Sequence, residues 1–316
     1  MFESIGVLEN WSIETIVLNI KKQNFFLNLP QCCKKLSLET KMVLDFRGSD
    51  MEIENELIVR KEGPICTMLI NRPEKRNLLT PTCLLKMTKA IEELTEEGNI
   101  LVIILRGAGD QAFCAGYDIS ALPTKATSQM EEYLKETPPL EKALQAIRKF
   151  AYPVIAMLNG YAYGGGCELA IGCDIRIAAR RVKMGMTPAK IGLVYPYPGY
   201  RRFLTVLGFS RTLEIFLTGR KYDSQSCLKM GLVNHVVDDG ALEAFTYDLA
   251  REIAENAPLS LQGTKFTLYK IAEYPILEKG EEEEIRSLFI RSLQSEDMAE
   301  GQWAFFEKRK PRFKGR

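Results

Sequence analysis

The chain has 316 residues, of which 46% are hydrophobic and 26% charged, and its formal net charge is +1. This length and composition predict a globular protein with one large domain, or with one domain and an appendage. The near-neutral charge argues against bulk nucleic-acid binding, and no apolar run approaches the roughly 20 residues that a membrane-spanning helix needs.

Histidine and cysteine usage narrows the possible chemistry. The only histidine is His235, which lies between turn residues and an apolar pair, so we expect a structural role. Zinc sites built on paired histidines are excluded, and no metal site is expected. Several of the eight cysteines fall in apolar patterns, which predicts buried free thiols. With no secretory segment evident, we expect a reducing, cytoplasmic setting, and acid–base chemistry must come from carboxylates, tyrosines or the ligand.

Hydrophobic spacing divides the chain into three parts. Residues 1–50 have a broken apolar pattern, and we expect an N-terminal extension with no role in the fold. Residues 51–250 alternate between strand and helix patterns, which predicts α/β layers, and residues 251–316 form a helical C-terminal region. The predicted elements, in chain order, are strands at 51–60 and 65–70, a helix at 81–94, a strand at 99–105, a helix at 130–150, a strand at 154–158, a helix at 165–173, strands at 175–179 and 182–186, and helices at 242–256, 258–272 and 281–294.

A glycine cluster marks the most informative stretch. An apolar run ends at Asn159-Gly160, and glycines 164–166 then open a helix that carries Glu168. Glycine lets a ligand atom approach the backbone closely, because there is no Cβ. The amides of a first helical turn lack acceptors within the helix and favour negative charge. The pattern therefore predicts a site for a developing oxyanion.

Four motifs occur in a fixed order along the chain. They are Ile-Asn-Arg-Pro-Glu-Lys-Arg-Asn at 70–77, Ala-Phe-Cys-Ala-Gly-Tyr-Asp-Ile at 112–119, the glycine-rich stretch at 159–174, and Gly-Leu-Val-Asn at 231–234. Together they resemble the crotonase (enoyl-CoA hydratase/isomerase) superfamily over about residues 55–316. The resemblance implies a spiral of ββα repeats with a C-terminal helical trimerisation region, and trimers or dimers of trimers. It also implies an acyl-coenzyme A thioester as substrate, with no separate cofactor.

The same resemblance assigns roles to individual residues. The backbone amides of Tyr117 and Gly165 would form an oxyanion hole for the thioester carbonyl as it becomes an enolate. Such preorganised donors act only on charge that develops in the transition state, and losing one costs on the order of 10²–10³ in rate. The residues implied to contact the coenzyme are Lys75, Arg76, Ala115, Tyr117, Asp118 and Ile119.

The reaction depends on the carboxylates. Hydratases of this family use two carboxylates. Glu168 has the first of these positions, but Pro188 stands at the second. The absence of a carboxylate there disfavours both hydration and simple double-bond isomerisation. The segment that contains Thr187 and Tyr195 is similar to the methylmalonyl-CoA decarboxylase branch of the superfamily. In that branch these two residues would hold the substrate carboxylate. Tyr195 has a second possible part, which is to help deliver a proton.

An electrostatic argument supports decarboxylation of an alkylmalonyl-CoA. At about 4 Å and an effective dielectric constant of 20, a second enzyme carboxylate would repel a malonyl carboxylate by roughly 4 kcal/mol. Replacing it with proline, beside neutral donors, accommodates that substrate. Loss of CO₂ then leaves the enolate in the oxyanion hole, without metal or biotin.

Alternatives stay open from the sequence. Glu168 could donate a proton, bind water or be structural. A hydratase or dehydratase would need another carboxylate, for which the candidates are Glu131, Glu132, Glu136 and Glu141 in segment 123–145. A third possibility is a catalytically inactive acyl-CoA-binding homologue. RNA binding is disfavoured by the neutral charge balance.

Overall fold

The computed structural model describes residues 56–118, residues 136–273, and residues 280–316 apart from 281–282, 285, 288–289 and 292–293. These residues belong to one compact unit that spans Ile53–Arg316. The predicted extension at 1–50, together with Ile119, Glu131 and Glu132, lies outside the described residues. The proposed boundary near residue 250 stays a prediction.

The strands of the described residues form two sheets. The strands are β1 (Leu57–Glu62), β2 (Ile65–Ile70), β3 (Val102–Gly107), β4 (Ala112–Cys114), β5 (Val154–Leu158), β6 (Tyr161–Tyr163), β7 (Ile175–Ala179), β8 (Lys183–Gly185), β9 (Tyr222–Asp223) and β10 (His235–Val237). The larger sheet has the order β1-β2-β3-β5-β7-β10, and the smaller has the order β4-β6-β8-β9.

Helices connect and cover these strands. They are α1 (Pro81–Glu97), α2 (Pro139–Lys149), α3 (Gly165–Ile171), α4 (Tyr197–Leu207), α5 (Phe209–Thr218), α6 (Ser224–Met230), α7 (Leu242–Ala254), α8 (Pro258–Glu273) and α9 (Glu296–Glu307). Helix α1 shows the local logic: Thr80 caps its first turn by accepting from the amide of Cys83, and Gly98 ends it in the left-handed conformation. Among the described residues, no helix is both long and apolar enough to cross a membrane.

The larger sheet is mainly parallel. Strands β1 and β2 form an antiparallel hairpin, and the other neighbours pair in parallel, with Ile104 opposite Ile155. Every residue of β5 is buried. A continuous apolar run of this kind is typical of a parallel strand covered on both faces, which is why these strands are visible in the sequence.

The chain alternates between the two sheets. Three times in succession, a strand of the larger sheet is followed by a short strand of the smaller sheet and then by a helix: β3-β4-α2, β5-β6-α3 and β7-β8-α4. This confirms the predicted spiral of ββα repeats. Strands β4 and β6 were not predicted, since three residues are too short to show a period.

Other sequence predictions are confirmed or shifted. The helix predicted at 130–150 begins at Pro139 in the described residues, where proline suits the first turn. Helices α4, α5 and α6 were not predicted. Of the helix predicted at 281–294, only scattered helical residues are described. The trimerisation role of the C-terminal region stays a prediction.

Two buried asparagine side chains fix the crossover between β3 and β4. Asn77 donates its amide to the carbonyls of Ala108 (2.9 Å) and Ala112 (2.7 Å). Asn159 exchanges hydrogen bonds with the backbone of Gly107, at 3.2 and 3.0 Å. A Cβ at Gly107 would lie 2.4 Å from the Ala112 carbonyl oxygen. These motif residues therefore act structurally, because they satisfy buried backbone groups at a crowded turn.

The last motif is also structural. The guanidinium of Arg176, on β7, is buried and donates to the carbonyls of Leu232 (2.9 Å) and Cys173 (2.7 Å). The side-chain oxygen of Asn234 accepts from the backbone amide of Arg176 at 2.9 Å, and the backbone amide of Asn234 donates to the Arg176 carbonyl. This exchange fixes the start of β10 against β7.

The histidine and the described cysteines have opposite surroundings. His235 is exposed on β10, with its ring 5.2 Å from that of Phe245. All six cysteines in the described residues are buried free thiols, which confirms that prediction for them. Burial raises the pKa of Cys66 to about 11, so this thiol is protonated and unreactive near neutral pH.

Candidate active site

The glycine turn before α3 requires glycine at two positions for different reasons. Gly164 has φ +51° and ψ −122°, a conformation that side-chain-bearing residues rarely adopt. At Gly166 a Cβ would lie 2.3 Å from the carbonyl oxygen of Cys114, so helix α3 packs directly against β4. The turn therefore carries the start of α3 to the segment that follows β4.

Gly165 and Tyr117 lie side by side. A Cβ built on Gly165 would be 3.1 Å from the Tyr117 amide nitrogen, and one on Gly116 would be 3.8 Å from the Gly165 nitrogen. On the other side, Leu79 donates to the Gly116 carbonyl and accepts from the Asp118 amide. Because alternate amides of an extended segment point in opposite directions, the Tyr117 amide points away from Leu79, on the side of Gly165. The structure thus brings the two predicted donors together.

The basic residues expected near the coenzyme lie beside this segment. Lys75 and Arg76 are exposed, and the Arg76 carbonyl accepts from the amide of Ala115 at 3.0 Å. Segment 75–79 therefore runs along segment 115–118. This places five of the six implied coenzyme contacts in one region, and Ile119 lies outside the described residues. Their contact with a ligand stays a prediction.

Glu168 is buried and bound on both carboxylate oxygens. Its Oε2 accepts from Tyr195 Oη at 2.5 Å, and its Oε1 accepts from Arg202 Nη1 at 2.8 Å. The second terminal nitrogen of the guanidinium, Nη2, donates to both carboxylate oxygens of Glu141 at 2.6 Å. Helix α3 supplies Glu168, α4 supplies Arg202 and α2 supplies Glu141, so three helices meet at this cluster.

Burial controls the protonation of this pair. Desolvation raises the pKa of Glu168, and the hydrogen bond from Tyr195 and the charge of Arg202 offset part of that rise. Desolvation and the adjacent Glu168 raise the pKa of Tyr195 well above its usual value. Tyr195 therefore stays protonated near neutral pH and is the hydrogen-bond donor in the pair.

The ring of Tyr195 is held by aromatic contacts and by a glycine. Its centroid lies 6.2 Å from that of Tyr200 and 5.4 Å from that of Phe216. A Cβ at Gly199, in the first turn of α4, would lie 2.5 Å from the Tyr195 ring. Only glycine leaves room for the ring between α4 and Glu168.

Thr187 and Pro188 lie next to the glycine turn. A Cβ at Gly164 would be 4.0 Å from the Thr187 hydroxyl oxygen. Pro188 is buried and begins the 3₁₀ turn Pro188–Ile191. The structure thus brings Thr187 to Gly164 and Tyr195 to Glu168, around one turn.

Sequence reasoning missed Arg202 and its partnership with Glu141. Arg202 reads as a surface residue beside Arg201, and the available signal was its position three residues after Gly199, on the same side of α4. Glu141 was a candidate second carboxylate, and it does approach Glu168, but through the arginine. Glu136 is exposed ahead of α2.

Comparisons with known proteins identify the family. Residues 60–316 match the family model for enoyl-CoA hydratase/isomerase. The short-chain-enoyl-CoA hydratase of Clostridium acetobutylicum is 32% identical over 260 residues, which are 82% of this chain and 97% of that protein. The methylmalonyl-CoA decarboxylase of Escherichia coli is 32% identical over 251 residues, 79% and 95% of the two chains. A solved enoyl-CoA hydratase/carnithine racemase structure from Magnetospirillum magneticum has 35% identity and a TM-score of 0.76, covering 82% of this chain and 96% of that one.

This chain therefore belongs to the enoyl-CoA hydratase/isomerase family, and it is an enzyme of the crotonase superfamily. The resemblance seen in the four motifs is confirmed, and so is the fold it implied.

Proposed function

We propose that this enzyme is a lyase that decarboxylates an alkylmalonyl-CoA thioester, such as methylmalonyl-CoA. The observation that carries the proposal is the bonding of Glu168, whose two oxygens accept from Tyr195 and Arg202. A hydratase needs two carboxylates that face the substrate, and Pro188 stands at the second of those positions. The cluster is therefore better suited to a substrate that brings its own carboxylate.

The reaction uses the oxyanion hole. The bond between Cα and the carboxylate carbon breaks, CO₂ leaves, and the electron pair passes into the thioester as an enolate. In this proposal the amides of Tyr117 and Gly165, which lie next to each other, stabilise the enolate oxygen. A proton then reaches Cα, and the product is the shortened acyl-CoA.

Neutral donors and a raised carboxyl pKa suit an anionic substrate. Tyr195 stays protonated, and its one hydrogen, which Glu168 accepts in the free enzyme, turns with that of Thr187 towards the substrate carboxylate once Glu168 is itself protonated. Burial already raises the pKa of Glu168, and a nearby substrate anion raises it further by like-charge repulsion. Glu168 then carries a proton, taken up from water, in the complex and donates it to Cα, directly or through Tyr195, and it takes up another proton from water before the next turnover.

A second candidate is an enoyl-CoA hydratase or dehydratase. It is favoured by hydratases among the relatives and by the approach of Glu141 to Glu168. In that function Glu141 would be the second carboxylate, and it would have to leave Arg202 to reach the substrate. We also expect no cofactor beyond the coenzyme A of the substrate, and a trimer or a dimer of trimers.

The test offers the purified enzyme malonyl-, methylmalonyl- and ethylmalonyl-CoA beside crotonyl-CoA. We expect CO₂ release and formation of the matching acyl-CoA, which mass spectrometry detects. Rapid formation of 3-hydroxyacyl-CoA from crotonyl-CoA, without CO₂ release, would overturn the proposal in favour of hydration. Binding of acyl-CoA with neither reaction would indicate an inactive homologue.

Substitution of Tyr195 tests the site itself. Tyr195→Phe should lower kcat/KM for decarboxylation about 100-fold or more, since it removes a positioned proton-bearing group. The matched control is Tyr197→Phe, because Tyr197 lies two residues away and is 72% exposed. Equal activity of Tyr195→Phe and the control would remove Tyr195 from the mechanism.

A further inference from the structure

We propose that Arg202 is a positioning residue, which orients the Glu168 carboxylate against Tyr195, and that Glu141 tunes the strength of this effect. The inference rests on the proposed function only in that Glu168 takes part in the reaction. Neither Arg202 nor Glu141 lies in one of the four motifs.

The geometry shows a single guanidinium shared between two carboxylates. Nη1 donates to Glu168 at 2.8 Å, and Nη2 donates to both oxygens of Glu141 at 2.6 Å. The side chains of Arg202 and Glu141 are 21% and 18% exposed, and that of Glu168 is 6% exposed. A planar guanidinium presents its donors in a rigid fork, so fixing one end on Glu141 fixes the direction of the other end.

Arg202 and Tyr195 divide the Glu168 carboxylate between them. Tyr195 holds Oε2 and Arg202 holds Oε1. A carboxylate with one partner can rotate about its terminal torsion, which has a broad minimum. With two partners on different oxygens, its plane is set. Loss of Arg202 should therefore loosen the contact that carries the proposed chemistry, without touching Tyr195.

Arg202 and Glu141 also act on Glu168 with opposite charge. The groups that face Glu168 are the cation Arg202 and the anion Glu141, with Tyr195 and Cys167 as neutral titratable neighbours. Arg202 favours the ionised carboxylate, and Glu141 disfavours it. Removing one should therefore shift the titration of Glu168 upward, and removing the other should shift it downward. An ion pair that does not act on Glu168 would give no such opposed effects, and the orienting part of the role is tested separately by whether Arg202→Lys restores kcat.

The first experiment compares pH profiles of kcat/KM. Arg202→Met should move the limb that reports Glu168 to higher pH by about one unit or more, and should lower kcat about tenfold. Glu141→Gln should move the same limb to lower pH. Arg202→Lys restores the charge but not the fork, so the limb should return towards its original position while kcat stays low. The control is Arg201→Met, which removes the same charge from an exposed position on the same helix.

The second experiment needs no substrate, and it measures the free energy of unfolding against pH. The pKa of Glu168 is higher in the folded state than in the unfolded state, so stability falls as pH rises between the two values. In Arg202→Met the free energy of unfolding should keep decreasing up to a higher pH than in the wild type. In Glu141→Gln the decrease should end at a lower pH. In a Glu168→Gln background both effects should vanish.

The outcomes separate the two proposals. Opposed shifts in the unfolding data without any decarboxylation would support the positioning role and overturn the proposed reaction. Shifts of Arg202→Met and Glu141→Gln in the same direction would overturn the positioning role, as would equal effects of Arg202→Met and Arg201→Met. If Arg202→Met does not fold, Arg202→Lys and Glu141→Gln still decide the question. The pH-profile limb of Glu141→Gln should lie at lower pH than that of Arg202→Lys.

Discussion

Two clusters of similar composition lie near the two ends of α3. Each has a buried or partly buried carboxylate, a cation and a tyrosine. In one, Glu168 binds Arg202 and Tyr195. In the other, Asp174 accepts from Lys265 at 2.7 Å and Tyr269 at 2.8 Å. The first lies beside the glycine turn, and the second joins α8 to the core.

The clusters differ in how the cation is satisfied. The Lys265 ammonium has three protons, and it has three acceptors: Asp174, the Ile147 carbonyl (3.1 Å) and the Tyr152 carbonyl (2.9 Å). Arg202 instead divides its donors between two carboxylates. An ammonium with an acceptor for every proton stabilises the fold. Where two carboxylates share one cation, one of them, Glu168, is left with a raised pKa. Similar components thus serve stability in one place and, in the proposed function, chemistry in the other.

The largest expected effect is on stability, through the cluster of Asp174 and Lys265. Lys265→Met should lower the free energy of unfolding by about 3–5 kcal/mol, because it leaves the Asp174 carboxylate without its cation. Chemical denaturation checks this, with Lys270→Met on the same helix as control. Equal stability of the two variants would show that the Asp174 cluster contributes little, and the comparison would fail. Adding Asp174→Asn to Lys265→Met should recover part of the loss.

A steric change at Gly199 should affect the cluster around Glu168. In Gly199→Ala the new Cβ would lie 2.5 Å from the Tyr195 ring and 2.9 Å from Glu168 Oε1. Overpacking of this kind costs about 1–3 kcal/mol, and relief by movement of Tyr195 should reduce kcat/KM about tenfold or more. Gly240→Ala is the control, since nothing lies within 4 Å of a Cβ there. Unchanged activity in Gly199→Ala would mean that the position of Tyr195 is not critical.

The smallest expected effect has the opposite sign. Glu168→Gln should increase stability slightly near neutral pH, since it removes a carboxylate whose charged form burial disfavours. The gain should shrink as pH falls towards the ordinary pKa of glutamate, where wild-type Glu168 is protonated. Unfolding measured between about pH 5 and 8 tests this. Asp174→Asn should instead lower stability, and a gain there would contradict the distinction between the clusters.

The sequence predicted the fold and the backbone part of the site better than the side-chain part. Continuous apolar runs made β2 and β5 visible, and the resemblance carried by the four motifs implied Tyr117 as the partner of Gly165. Glu168 and Tyr195 were both named, but their contact was not, because they are 27 residues apart and meet only when α4 folds back. The position of Arg202 three residues after Gly199 is its only local difference from the exposed Arg201, and it does not reveal the partners of Arg202. Its role depends on the packing of three helices, which spacing alone does not encode.

The buried guanidinium of Arg176 has a consequence for synthesis of the chain on the ribosome. One of its acceptors, the Leu232 carbonyl, is translated 56 residues later. Until that segment emerges, the larger sheet holds a buried cation with an unfilled donor and an open edge at β7. A nascent chain that ends before Asn234 should therefore be a substrate for chaperones, and completion of the larger sheet should wait until this segment has been made.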